Sequence, residues 1–372
     1  MRALAFLNRP LTGALWLGLT GSFLVIGWWP LDPFPRNRVR WAGGSPGLDF
    51  QPPGVVVDDQ LLPWSPAGGE AGFTLELQLQ PKEYPRGGTP HLLTVHDGEL
   101  PSRLVLCQWK DQLILRVPDP TQPLGYREAA ADILPRKPCL IAVTCSRAGT
   151  TFFADGRPVT RYPRFLVPPD SLRGRLLLGD SADGKHAWTG RLAGVAVIHR
   201  ALDAAAVAAR AKAWNARDAV TLAAEPRLAA LYLLDEGRGD RVDDSSSAHH
   251  RLNLAETYVV PQRTVLEFPR DPAVLWRSHY LQDTILNLLG FVPFGFLAFR
   301  YLGFLLPRRP ARAALLALFA GSALTLTIEL VQVWLPTRVS SGTDVILNIL
   351  GTIVGIGVAA AFRRWEASAQ NG

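Results

Sequence analysis

The chain is 372 residues long, 48% apolar and only 19% charged, which excludes intrinsic disorder and a soluble enzyme of average make-up. Its mean hydropathy of +0.10 is carried by a few segments rather than spread evenly. The net charge of +7 raises nucleic acid as a partner, but no basic groove with interleaved aromatics is present; three cysteines exclude a dense disulfide framework or a Cys-rich metal site.

Residues 11–29 carry no charge, follow Arg2 and Arg9, and precede Pro30. Such a stretch is long enough to cross about 30 Å of hydrocarbon. Trp28, Trp29 and Pro30 stand where the small residues of a cleavage site would fall. A retained helix with an interfacial Trp pair is therefore expected in place of a signal peptide. Residues 31–70 are rich in proline and glycine, with Pro63 and Pro66 near their end, and read as a stalk leading into a β domain. From Phe73 the pattern becomes short alternating runs, at 73–79, 91–95, 103–109, 112–117, 139–145, 151–154 and 175–178. Turn dipeptides such as Asp97-Gly98 and Asp155-Gly156 punctuate them. Strands of this length and spacing predict an antiparallel sandwich, and alanine-rich 204–213 predicts one helix after it.

Thr151-Phe152-Phe153-Ala154-Asp155-Gly156-Arg157-Pro158-Val159 resembles the strand–turn–strand of concanavalin A-like, laminin G-type jelly rolls. So do Leu178-Gly179, the run from Trp188 to Val197, and Arg200-Ala201-Leu202-Asp203. A fragment from Ala230 to Ser246 is similar to the opening of such domains yet sits at the end, so the sheet is either permuted or closes late. The resemblance covers about 50–266 and implies binding of a glycan or a protein. Glycosidases of this fold need a Glu-x-Asp-x-x-Glu strand, which this sequence lacks, so the chain reads as a binder more than an enzyme. Calcium is known on such folds, but Asp180, Asp183, Asp243 and Asp244 read as turn formers; no metal ligand and no cofactor is assigned. Cys139 and Cys145 are six residues apart on one predicted strand and cannot pair, leaving either a bridge involving Cys107 or buried free thiols. Gly43 to Gly47 spells a G-x-S-x-G elbow and Gly179 to Lys185 approaches a phosphate loop, but neither has the strand–helix context its chemistry requires.

Three further apolar segments follow, at about 284–306, 313–335 and 345–362, joined by connectors too short for anything but antiparallel neighbours. With four crossings, Arg2, Arg9, Arg300, Arg308, Arg309, Arg312, Arg363 and Arg364 fall on one side, and the short loop on the opposite side carries only Arg338. The positive-inside rule then predicts an inner-membrane protein with both termini cytoplasmic and residues 32–280 outside. The second and fourth segments begin alike, with Asp283, Asn287 and Gly290 matched by Asp344, Asn348 and Gly351 at i, i+4 and i+7, one helical face in each. The third carries Ser322, Thr325, Glu329 and Gln332 on one face. Asp283, Asn287, Glu329, Gln332, Arg338, Asp344 and Asn348 are therefore expected to converge in the outer half of the bundle. Gly290, Gly351 and Gly355 should let helices approach closely, with Pro293 and Gly295 kinking the second. An ionisable group at membrane depth needs a reason, and Glu329 requires either Arg338 as its ion partner or a proton.

The run Asn287 to Gly295, Ile328-Glu329-Leu330-Val331-Gln332, Arg338, and Asp344 to Gly351 look like the VanZ-like membrane family, as does Pro30-Leu31-Asp32-Pro33-Phe34-Pro35 after the first helix. That family is named for a teicoplanin-resistance protein and has no settled biochemical activity; the resemblance brings antibiotic resistance with it as an implied role. The jelly roll between the first and second helices is this chain's departure from the pattern. The combined reading is a four-helix transmembrane bundle displaying an all-β jelly roll at the cell envelope, with membrane lipid and an envelope glycan or protein as partners and homo-oligomerisation open. Two other readings are an enzyme on phospholipid or isoprenoid-phosphate head groups, with Arg338 gripping phosphate and Glu329 as acid or base, and a small oligomeric transporter.

Overall fold

The computed structural model describes residues 8–62, 72–82, 88–134, 137–269 and 278–371. Arg2, Pro63 and Pro66, which entered the topology and stalk readings, lie outside the described residues. The chain divides into two compact units, Phe34–Gln262 and a second made of Met1–Pro33 with Arg263–Gly372.

Phe34–Gln262 is a sandwich of two eight-stranded antiparallel sheets. The first takes its strands in the order β1 (Arg40–Trp41), β2 (Leu48–Phe50), β13 (Gly190–Ile198), β4 (Gly72–Pro81), β9 (Cys139–Ser146), β10 (Gly149–Ala154) and β11 (Arg157–Tyr162), with β14 (Leu228–Tyr232) also paired to β13. The second runs β15 (Arg241–Asp243), β16 (Arg251–Asn253), β3 (Val56–Asp58), β12 (Arg175–Leu178), β5 (His91–His96), β6 (Leu104–Trp109), β7 (Gln112–Pro118) and β8 (Tyr126–Asp132). Phe73, Leu75, Leu77 and Leu79 alternate along β4 into a core that also holds Ile141, Val143, Leu93, Val95, Leu106 and Leu115. That alternation is what a strand with one face in the core requires.

Several expectations change in detail. The proline-rich stretch is not all stalk, because β1, β2 and β3 arise within it and bury Leu48, Phe50 and Val56 completely. The fragment 230–246 supplies β14 to the first sheet and β15 to the second, so both sheets take in strands from late in the chain. The reading missed β8, whose alanines carry little strand propensity, yet it pairs with β7 from Gln112–Asp132 to Pro118–Tyr126. Asp155 and Gly156, at φ 48° and 80°, form the tight turn between β10 and β11, both in the left-handed region such a hairpin demands. Cys107, Cys139 and Cys145 are all free and buried, and burial pushes each thiol up to about 12.

The outward face of β4 is covered by α2 (Ala204–Ala216), capped by the Asp203 carboxylate on the Ala206 N–H at 2.8 Å. Glu76, fully buried on that face, accepts both arms of the Arg210 fork at 2.8 Å and the Trp214 indole N–H at 2.7 Å. Gly194 is obligatory beneath this helix, since a Cβ there would collide with the Trp214 ring.

Asp180, also fully buried, holds the loop after β12. Its Oδ1 accepts the N–H groups of Ser181 and His186 at 2.7 and 3.0 Å, and its Oδ2 accepts the Tyr258 hydroxyl at 2.7 Å. Burial pushes this carboxyl up from an ordinary 3.8 to about 6, ahead of the hydrogen bonds that pull it down. A folded-state value above the unfolded one favours folding fully below about pH 4 and loses that contribution as pH rises through 6. The span corresponds to about 3 kcal/mol. Asp180→Asn keeps an acceptor for the two N–H groups and a donor for the tyrosine oxygen. Thermal unfolding of the sandwich measured from pH 4 to 7 should therefore fall more steeply in the wild type than in Asp180→Asn; parallel curves would refute the assignment.

The second unit holds four helices long and apolar enough to cross a membrane: α1 (Arg9–Trp28), α4 (Ser278–Leu305), α5 (Pro310–Gln332) and α6 (Gly342–Asn371). The short α3 (Ala219–Ala223) follows α2 in the β unit. α6 continues past Arg363 to Asn371, with Arg300 on α4 donating to Glu366 at 2.5 Å. α4 runs on through Pro293 as one helix. Phe291, Phe294, Ala298, Ala317, Leu324 and Ile328 make the apolar centre, and Phe23 of α1 stacks on Phe291 at 4.7 Å.

Candidate functional site: a polar cluster among the helices

The sequence pattern placed seven polar residues together, and the helices gather them in three linked groups. At the first turn of α6, the Ser341 hydroxyl accepts the Asp344 N–H at 3.2 Å, and Glu329, only 3% exposed, accepts the Ser341 N–H at 2.7 Å. Asn287 hydrogen-bonds the Asp344 carboxylate, and Asp283 lies near enough to repel it. Three carboxylates thus stand around one helix N-terminus, where unpaired N–H groups and the macrodipole favour negative charge.

Deeper in the bundle, the Asn348 amide donates to Thr325 Oγ1 at 2.8 Å, while Thr352 Oγ1 donates to the Asn348 carbonyl at 2.9 Å. The Asn348 Oδ1 is buried and has no hydrogen-bond partner among the described residues. The third group engages the C-terminal end of α1. Gln332 Nε2 donates to the Gly27 carbonyl at 2.7 Å. Arg338 Nη2 donates to the Ile26 carbonyl at 2.9 Å and to the Trp29 carbonyl.

Of the two provisions expected for Glu329, the ion pair with Arg338 is not formed. Arg338 caps the exposed carbonyls of α1, which attract a cation for the same reason that an N-terminus attracts an anion. Glu329 meets its need with a backbone N–H and with Arg338 as a charge neighbour rather than an ion-pair partner. Ser341 was missed, although Ser341-Gly342-Thr343-Asp344 has the S-x-x-D spacing of a capping box and could have been read as one. No sequence signal marks the carbonyls of Ile26, Gly27 and Trp29, since any helix ends with free carbonyls.

The packing glycines also divide. A Cβ at Gly351 would collide with the Leu288 carbonyl, one at Gly355 with the Val292 carbonyl and, at 2.7 Å, with Phe296 N, so α6 lies directly on the α4 backbone. Gly295 answers from α4 against the Thr352 backbone. Gly290, expected to act in the same way, would meet nothing nearer than Phe23 at 3.9 Å. The repeat gives the two helices the same face but different neighbours.

Solved structures with a related arrangement include a protein from Bacteroides ovatus described as carbohydrate binding, at 15% identity and a TM-score of 0.41, covering 56% of this chain and 57% of that one. A heptameric SAP-like pentraxin from Limulus polyphemus follows at 14% identity and 0.35, covering 45% and 82%. The receptor binding domain of botulinum neurotoxin D gives 9% identity and 0.36, covering 48% and 47%. The chain thus spans little more than half the length of the first of these. No curated protein matches it. The VanZ/LLP1 family model matches residues 230–363, which take in α4, α5, the larger part of α6 and the seven polar residues the sequence singled out. Residues 230–363 of this chain are thus similar to the VanZ/LLP1 family, and the same chain carries a β-sandwich.

Proposed function

We propose that this protein is a multi-pass envelope membrane protein whose β unit is displayed outside the cytoplasm to hold a glycan, with the helical unit as its anchor. The observation that carries the reading is the polarity of the helical unit. The hydrogen bonds of Gln332 to Gly27 and of Glu329 to Ser341 bring the ends of α1 and α5 and the start of α6 to one end. Arg300, Arg308, Arg309, Arg312, Arg363 and Arg364 gather at the other, where Arg363 donates to the Pro307 carbonyl at 3.1 Å. By the positive-inside rule the arginine-rich end is cytoplasmic. The chain leaves for the sandwich after α1 and returns before α4, at the opposite end. In this reading the polar cluster is a set of helix caps that fixes the bundle, and the two residues an enzyme would use on a head group, Arg338 and Glu329, are already engaged in capping.

Membrane-impermeant maleimide on intact cells tests the orientation. Leu124→Cys, on the sandwich, should label, and Arg309→Cys should label only after permeabilisation. The reverse pattern would reject external display. For binding, the detergent-purified full chain should retain members of a glycan array; retention of none, with the protein folded, would move the reading to a protein ligand.

A further inference from the structure

One cleft in the sandwich unit has the composition of a binding site. It encloses about 650 Å³ between the segment around β1 and the β15–β16 hairpin. Trp41 stands in its wall, half-buried, with its indole N–H fixed on the Gly239 carbonyl at 2.8 Å. Arg36, Arg40 and Arg241 also line it, all three exposed. None of the three guanidinium groups has a hydrogen bond or ion pair among the described residues. Some arginines of the same unit are matched to carboxylates, as Arg116 is to Glu128, Arg191 to Asp49 and Arg200 to Glu225; what sets these three apart is that they share one concavity. Asp240 and Glu256 share the lining without pairing to the three.

Unpaired guanidinium forks converging on one concavity favour an anion with planar or tetrahedral oxygens, which they bind through paired N–H donors. A fixed aromatic wall suits a ligand with an apolar ring face, and side carboxylates accept from hydroxyl groups. A phosphate ion alone would use the arginines and leave Trp41, Asp240 and Glu256 without a role. We infer that this cleft binds an anionic saccharide, one whose rings carry carboxylate, sulfate or phosphate groups. The inference rests on the glycan-binding reading above and narrows it to a place and a charge class.

The test uses the detergent-purified full chain on arrays of uronate, sulfated and phosphorylated oligosaccharides printed beside their neutral parents, with solution affinities for the strongest. At least one charged series should bind tenfold or more tightly than its neutral parent, and its affinity should fall as salt is raised. Arg40→Glu with Arg241→Glu should remove that preference at unchanged unfolding temperature, both side chains being exposed. Trp41→Ala should weaken charged saccharides at least tenfold, and Trp41→Phe, which keeps an aromatic wall, should restore part of the loss. Saccharide binding that ignores the double arginine change would overturn the cleft while leaving the glycan reading intact. Inorganic phosphate competing as well as the saccharides would overturn the sugar assignment. Retention of no glycan at all would end both.

Discussion

Gly355→Ala should destabilise the helical unit by about 3 kcal/mol, at the upper end of the range for overpacking, whereas Gly290→Ala should be nearly silent. The difference comes from what the new methyl group meets. At position 355 it meets the Val292 carbonyl and Phe296 N, both main-chain atoms of α4 that no rotamer change can remove. Either the two helices separate along their length or α4 bends. Separation forfeits the contacts at Gly351 and Gly295, which belong to the same close approach. At position 290 the methyl group finds Phe23 at 3.9 Å, an ordinary contact. Gly351→Ala combined with Gly355→Ala should prevent recovery of folded protein. Unfolding in mixed detergent, followed by hydrogen exchange of α4 and α6, measures the effect. Equal stability for Gly355→Ala and Gly290→Ala would show that the helices are not held by this backbone contact.

The same pair of glycines shows how far the sequence could be read. The Asp-x-x-x-Asn-x-x-Gly repeat identified a face on each of α4 and α6, and those faces do carry the polar cluster. Period alone says which residues share a face but not which neighbour that face meets. Gly290 turned to the α1 side and Gly351 to the α4 backbone for that reason. Arg338 was legible as a charge needing a partner; that its partners would be main-chain carbonyls was not, because carbonyls carry no residue identity. In the sandwich, the alternation of β4 correctly sent Phe73, Leu75 and Leu77 inward. It would also have sent Glu76 to solvent. The covering helix α2 is mostly alanine and shows no apolar stripe, so nothing in its composition announced that it would bury a carboxylate.

That buried carboxylate sets the largest effect expected in the β unit. Glu76→Gln should cost about 3–5 kcal/mol, because it leaves the Arg210 guanidinium, itself only 6% exposed, without its counter-charge. Glu76→Ala should cost at least as much, since Trp214 then also loses the acceptor for its indole N–H. Arg210 keeps one bond, to the Leu222 carbonyl at 3.1 Å, which satisfies an N–H but not a charge. The signature that separates a buried ion pair from simple packing is the double change. Glu76→Met with Arg210→Met removes both charges and fills similar volume, so it should be less harmful than either single change, with a coupling of about 2 kcal/mol or more. Because the chain holds two compact units, the readout must be local: hydrogen exchange across α2 and β4 reports opening of this clamp without reference to the helices. Full protection of α2 in Glu76→Gln, or strictly additive single changes, would mean that the helix is held on the sheet by Trp214 and Val207 packing and that the ion pair is incidental.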